Sequence, residues 1–167
     1  MDNSIKLIAL DIDGVMAKSR GGYFTGRITS VLQKLNDMAE KGGNVPPVTV
    51  ITGRPATYVE AVMQFIHGFV PAVFEHGTGI YDQKNYRFFP HPGLKAVKEL
   101  ALIREIIIKE FVEKGLAMLQ GGKEYTISLF SRDKVLNRQL AGIIMEKAKE
   151  AAALFDFVYS SDSLNIT

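Results

Sequence analysis

Two aspartates stand two residues apart where an apolar run ends: in KLIALDIDGVMAKS, Lys6 to Ser19, Asp11 and Asp13 follow Leu7-Ile8-Ala9-Leu10. In extended backbone, residues i and i+2 project to the same side, so this spacing aims both carboxylates at one point. Carboxylates that close repel each other. A hard cation such as Mg²⁺ relieves the repulsion, because it prefers oxygen ligands and completes its shell with waters and substrate phosphate. A second polar group follows another apolar run, VTVIT: Thr52, Gly53, Arg54 and Pro55 read TGRP where a strand meets the start of a helix. A hydroxyl, a glycine amide and an Arg at a helix N-terminus form a seat for an anion, since the N–H groups and the helix dipole there favour phosphate. A cation site beside a phosphate seat is the equipment of phosphoryl transfer. One carboxylate takes the phosphoryl group, while the other protonates the leaving oxygen and then activates water. Each motif alone has a plainer reading. D-x-D-G is common in turns, where Asp and Gly serve local backbone geometry, and Thr52 and Arg54 fit a strand end and a solvated surface. Their joint placement at the ends of two apolar strands favours the chemistry.

The elements that must position these groups follow from pattern. Ile5 to Leu10 is almost continuously apolar, as in a strand buried on both faces of a parallel sheet. Ile28 to Lys41 places Val31, Leu32, Leu35, Met38 and Ala39 on one helical face, with Ser30 and Gln33 spaced for a capping box and Gly42 as a stop. Val48 to Thr52 is a β-branched strand after Pro46-Pro47. Pro55 suits the first turn of the next helix, whose Val59, Val62, Met63, Phe65 and Ile66 face a core before Gly68. PAVFEHGTGIYD then holds a third strand, a glycine turn and a fourth strand that pairs as a hairpin with Tyr86 to Phe89. From Pro90 the texture changes. A long helix runs to about Lys114, then a strand Tyr125 to Phe130, a helix Asp133 to Leu154, and strands Phe155 to Ser160 and Ser163 to Thr167. Alternating strands and helices predict an α/β first part, residues 1–89; the remainder, 90–167, forms a small α+β layer. In open α/β sheets ligands gather at the carboxyl ends of the strands, where Asp11 and Thr52 stand.

The remaining polar residues carry less. His67, His76 and His91 lack metal-ligand spacing. The run GGYFTG, Gly21 to Gly26, matches neither nucleotide-cradling glycine motif and reads as a mobile loop. Tyr86, Phe88 and Phe89 read as packing, and Lys95, Lys98, Arg104, Lys109 and Lys114 as a solvated helix face. A net charge of +2, from 20 basic and 18 acidic residues without blocks, excludes a clustered basic footprint for nucleic acid and leaves a small-molecule partner. No apolar stretch approaches the roughly 18 residues a membrane span needs, and the polar start with Asp2 is unlike a signal peptide. With no cysteine there is neither a disulfide frame nor a thiolate metal site, and a cytoplasmic location is the expectation.

Taken together, the apolar strand ending in DIDGV, VITGRP about forty residues later and VFEHGTGIYD resemble the haloacid dehalogenase (HAD) superfamily of phosphatases. The resemblance is to the branch with a large α/β cap inserted after the third core strand. That branch includes Cof-like sugar phosphatases, phosphoglycolate phosphatase, and sucrose- and mannosylphosphoglycerate phosphatases. It implies a Rossmann-like parallel-sheet core, its first half in residues 1–89, and a cap in 90–167. It implies Asp11 as nucleophile and Mg²⁺ ligand, and Asp13 as general acid/base that meets the metal through its main-chain carbonyl. Thr52 matches the phosphate-binding threonine, with Gly53 and Arg54 lining the same pocket. The implied activity is Mg²⁺-dependent hydrolysis of a small phosphorylated metabolite, a phosphosugar or a phosphoglycolate-like acid, through an aspartyl-phosphate. Two departures follow. The family's ENGA is here Glu75-His76-Gly77-Thr78, and the phosphate-binding lysine and acidic loop that follow a segment like SSDSLNIT are not within these residues. Lys84, Lys123 and Lys134 do not occupy that lysine's position. Little or no turnover, with the chain acting as an incomplete fragment or binding scaffold, is the alternative. The strand Leu7 to Leu10 would then present an apolar edge, expected to meet a second copy or a partner segment.

Overall fold

The computed structural model describes residues 5–18, 21–94, 97–131, 134–159 and 163–167, with backbone alone for 134–137. Residues 1–4, Ser19, Lys95, Asp133 and 160–162, which enter the reading above, lie outside the described residues. The chain has an α/β fold and divides into two compact units, Met1–His91 and Pro92–Thr167.

In the first unit β1 (Ile8–Leu10) leads through α1 (Gly26–Glu40) to β2 (Val48–Val50), then through α2 (Ala56–Phe65) to β3 (Ala72–Phe74). β1 and β2 pair in parallel, Leu10 opposite Val50, and a parallel bridge from Ile51 to Val73 joins β2 to β3. The order β1-β2-β3 with helical crossovers is the parallel α/β arrangement the pattern predicts. β4 (Gly79–Asp82) and β5 (Arg87–Pro90) extend β3 antiparallel. Because β5 runs through Pro90, the division falls after His91 rather than after Phe89.

Burial departs from the predicted faces in three places. β1 has β2 on one side among the described residues, so Leu7 is 49% and Ile5 70% exposed, where burial on both faces was expected. On α1 the inward face is Thr29, Leu32 and Asn36, whereas Val31 and Met38 point to solvent. The helix is capped by Thr25, whose hydroxyl accepts from the Ile28 N–H, not by a Ser30–Gln33 box. Ser30 bonds back to the Gly26 carbonyl and Gln33 reaches the Phe65 carbonyl. On α2 the predicted face holds at Val59, Val62, Met63 and Ile66 but Phe65 is exposed. Asn36, fully buried, compensates for its polarity by donating to the Ile66 carbonyl at 2.9 Å and accepting from the Val48 N–H at 2.8 Å. It thereby ties α1 to the end of α2 and the start of β2.

The second unit is a sheet of order β6-β7-β9-β8, all antiparallel: β6 (Met118–Leu119), β7 (Ile127–Phe130), β8 (Phe157–Tyr159) and β9 (Ser163–Ile166). α3 (Val97–Ile107) continues through a π turn, Ile108–Val112, so that Leu100, Ile103, Ile107 and Phe111 form one buried stripe. α4 (Lys134–Lys147) and α5 (Lys149–Ala152) replace the single predicted helix, because Ala148 leaves helical geometry at φ −124°, ψ 37°. Leu140, Ala141 and Ile144 of α4 meet the α3 stripe and the inward Ile127, Leu129, Leu164 and Ile166 in one core. Each such fully buried aliphatic side chain contributes about 1.5–3 kcal/mol. Arg104, expected in solvent, instead donates to the Lys123 and Thr126 carbonyls at 2.9 and 3.3 Å.

Glu110, in the π turn, is held by Lys114 at 2.6 Å and Lys147 at 2.5 Å. Hydrogen bonds from Lys114, then from Lys147, lower its carboxyl from 4.5 to about 2. A depressed folded value means that the stabilisation is complete above the unfolded value and is lost as pH falls through about 2. Carboxyl NMR should therefore place the Glu110 midpoint near 2 in the native chain and return it toward 4.5 when both lysines are replaced by Met. An ordinary midpoint in the native chain would show the clamp to be absent in solution.

Candidate active site

Leu10 and Val50 are register partners at the C-terminal ends of neighbouring parallel strands, so the residues that follow them emerge on one rim. Asp11 is exposed and its Oδ1 accepts from the Ile12 N–H at 2.7 Å. The chain then turns tightly: the Met16 and Ala17 amides both donate to the Ile12 carbonyl, at 3.0 and 2.9 Å, and the Gly14 amide to the Ala17 carbonyl at 2.8 Å. Gly14 sits at φ 82°, a backbone state that favours glycine. Fully buried Ile12, with Met16 and Ala17, anchors this turn to the core between an exposed Asp11 and a half-buried Asp13. The two aspartates thus stand on a turn anchored by Ile12 rather than on a continuing strand. The GGYFTG run begins no free loop throughout: Phe24 bridges to Ala17 and Thr25 caps α1.

Across the rim, Thr52 is 4% exposed and its Oγ1 accepts from the Arg54 N–H at 3.3 Å. Pro55 occupies the N-cap of α2, and no side chain caps that helix. The positive end of the helix dipole is therefore open toward the Thr52–Arg54 turn. A second segment clamps the turn: the Glu75 N–H donates to the Arg54 carbonyl at 3.0 Å and the His76 N–H to the Thr52 carbonyl at 3.2 Å. Glu75, His76 and Gly77 all have positive φ, at 44°, 61° and 96°. Two successive non-glycine residues in this region carry strain of about 1–3 kcal/mol each, held in place by the surrounding bonds. The result is that the His76 imidazole lies on Gly53, where an added Cβ would come within 2.4 Å of the ring. Gly53 thus permits the close approach of the His76 ring.

Arg54 carries the main surprise. Its Nε and Nη2 donate to Asp13 Oδ2 and Oδ1 at 2.7 and 2.6 Å, and its guanidinium lies over the Tyr58 ring at 5.0 Å. The hydrogen bonds that Arg54 donates to Asp13 outweigh burial and raise the Arg54 pKa above its ordinary value, so Arg54 stays charged. Of the sequence candidates, Asp11, Asp13, Thr52, Gly53 and Arg54 all lie on the two loops of this rim. No cluster of three His, Asp or Glu suited to a metal ion occurs among the described residues. Lys84 stands in the β4–β5 turn, at the end of the hairpin opposite Gly79 and the clamp. Lys123 belongs to the second unit, where Nζ donates to Ser128 Oγ at 2.5 Å. The sequence reading missed the His76–Gly53 contact, the Arg54–Asp13 fork and the Tyr58 ring beneath it; a Tyr one helical turn after an N-terminal Arg was the available signal for the last.

No family model and no curated protein matches the chain. Solved structures do. The C-terminal domain of trehalose-6-phosphate phosphatase from C. albicans is 16% identical and superposes with a TM-score of 0.72 over 96% of this chain and 56% of its own. A trehalose-6-phosphate phosphatase related protein is 16% identical, with a TM-score of 0.67 over 96% of this chain and 67% of its own. A haloacid dehalogenase-like hydrolase from Bacteroides thetaiotaomicron is 11% identical, with a TM-score of 0.67 over 98% and 71%. The chain shares the fold of these proteins and spans 56% of the length of the first. Among the described residues no helix is long and apolar enough to cross a membrane.

Proposed function

We propose that these residues form the nucleophile and phosphate-seat half of a Mg²⁺-dependent HAD phosphomonoesterase acting on a small phosphorylated metabolite through an aspartyl-phosphate. The observation that carries this is the placement of Asp11 and Thr52 on one rim, each just beyond register-paired ends of adjacent parallel strands. The fold shared with a trehalose-6-phosphate phosphatase domain supports it and favours a phosphosugar over a phosphoglycolate-like acid.

An exposed Asp11 carboxylate is free on Oδ2 to approach phosphorus, while the Ile12 N–H fixes Oδ1. Thr52 accepts from Arg54 and so keeps its hydroxyl proton for a phosphate oxygen, beside the Gly53 amide and the uncapped start of α2. Attack by Asp11 forms an acyl-phosphate bond as the ester P–O bond breaks, with Asp13 giving the leaving oxygen a proton. Asp13 then takes a proton from water, whose oxygen attacks phosphorus; the acyl P–O bond breaks, phosphate leaves and Asp11 is restored. The donor set suits Mg²⁺: all oxygen, with few protein ligands and positions left for water and substrate. Because Arg54 occupies the Asp13 carboxylate, the ligands would be the Asp11 carboxylate and the Asp13 carbonyl, and the ion would neutralise charge between carboxylate and phosphate.

A second reading is phosphate binding without efficient turnover; the chain spans 56% of the trehalose-6-phosphate phosphatase domain whose fold it shares. Phosphate release from p-nitrophenyl phosphate with MgCl₂ and with EDTA, alongside calorimetry with inorganic phosphate, separates the two. Mg²⁺-dependent release supports the enzyme; phosphate binding with no release supports the scaffold; neither binding nor release overturns both.

A further inference from the structure

We propose that Arg54 is a positioning residue for Asp13 and not a ligand of the substrate phosphate, an inference that rests on the phosphomonoesterase reading above. Its side chain is held along one edge and on one face. Two N–H groups form a fork on the two Asp13 oxygens, at 2.7 and 2.6 Å, which sets the plane of that carboxylate as well as its place. The face of the guanidinium lies on the Tyr58 ring at 5.0 Å. The main chain of Arg54 is held at both ends, its N–H by Thr52 Oγ1 and its carbonyl by the Glu75 N–H. The side chain is 16% exposed, half as much as the Asp13 it serves at 32%. A residue so engaged does not swing toward an incoming anion without surrendering two charge-assisted bonds.

The fork has a use. Asp13 stands at the start of a tight turn, and none of the Ile12–Ala17 main-chain bonds orients its carboxylate. Arg54, 41 residues later, locks it across the rim, to the same turn that carries Thr52 and Gly53. Each Asp13 oxygen keeps a lone-pair direction away from Arg54 for the leaving oxygen or water. A Lys at position 54 offers a point charge and no fork, so it cannot set the plane.

The test compares the intact native chain with Arg54→Met, Arg54→Lys, Asp13→Asn and Arg54→Met/Asp13→Asn, after circular dichroism confirms folding. Arg54→Lys keeps charge and length where Met disturbs the fold. Inorganic phosphate affinity is read by calorimetry, and kcat and KM with p-nitrophenyl phosphate. Positioning predicts that Arg54→Met leaves phosphate affinity within about 2-fold, the scatter of independent sites. It also predicts a fall in kcat of about 10²- to 10⁴-fold, the scale of a lost general acid, partial rescue by Lys, and no further fall when Asp13→Asn is already present. Phosphate affinity weakened about 10-fold or more, the scale of a lost charged hydrogen bond, with additive effects in the double variant, overturns it. Calorimetry decides the point even in a chain without turnover. A native chain that neither binds nor releases phosphate would instead overturn the phosphatase reading, and this proposal with it.

Discussion

Asp11→Asn is expected to abolish phosphate release from an aryl phosphate, by on the order of 10⁴- to 10⁶-fold, the range found when a hydrolase loses its nucleophile or the partner that activates it. The replacement is nearly isosteric, and its side-chain oxygen still accepts the Ile12 N–H that Asp11 Oδ1 takes at 2.7 Å. The turn through Ile12, Met16 and Ala17 therefore stays anchored, and the melting temperature should hardly move. What is lost is an oxygen able to form an acyl-phosphate. Acid quenching after mixing with labelled phosphoester should trap label on the native chain and none on the variant. Release that persists within tenfold of native in Asp11→Asn would sink the covalent mechanism while leaving the fold untouched.

Asn36→Ala should produce the largest loss of stability outside the apolar core. Asn36 is fully buried and satisfies two main-chain groups from different elements, the Ile66 carbonyl and the Val48 N–H. Truncation strands both, and each buried unsatisfied group costs about 1–3 kcal/mol, so a loss of about 3 kcal/mol or more is expected from urea unfolding. Asn36→Asp can still accept from Val48 but cannot donate to Ile66, and it buries a charge; it should be no better than Ala. A loss below about 1 kcal/mol, the worth of one ordinary exposed hydrogen bond, would show that the link is not made in solution. Because Val48 opens the strand that ends before Thr52, loosening this link should also weaken inorganic phosphate binding.

The parts legible from sequence are those governed by local pattern. β-branched VTVIT gave a strand, the spacing of Val59, Val62, Met63 and Ile66 gave a buried helix face, and polar residues at strand ends marked the rim with Asp11, Asp13, Thr52 and Gly53. These follow from two periodicities and from glycine and proline punctuation, which act within a few residues. Boundaries slipped where competing local bonds were close in energy. Thr25 displaced Ser30 as the cap, and Ala148 broke one helix into two.

Only the tertiary structure decided which polar residues turn inward and toward whom. A strip rule counts Val31 and Met38 as core and Asn36 as surface; the fold reverses this because two unpaired main-chain groups, some 12 and 30 residues away, need a donor and an acceptor at that point. Arg54 reads as an anion ligand from its neighbours Thr52 and Gly53, yet its fork closes on Asp13, and His76 lies on Gly53 through a left-handed turn that residue type disfavours. The sequence by itself determined which chemical groups stand at the rim, since strand ends are local. Which of those groups face a ligand and which hold one another in place depends on partners far apart in the chain, and distance through the chain leaves no periodic trace.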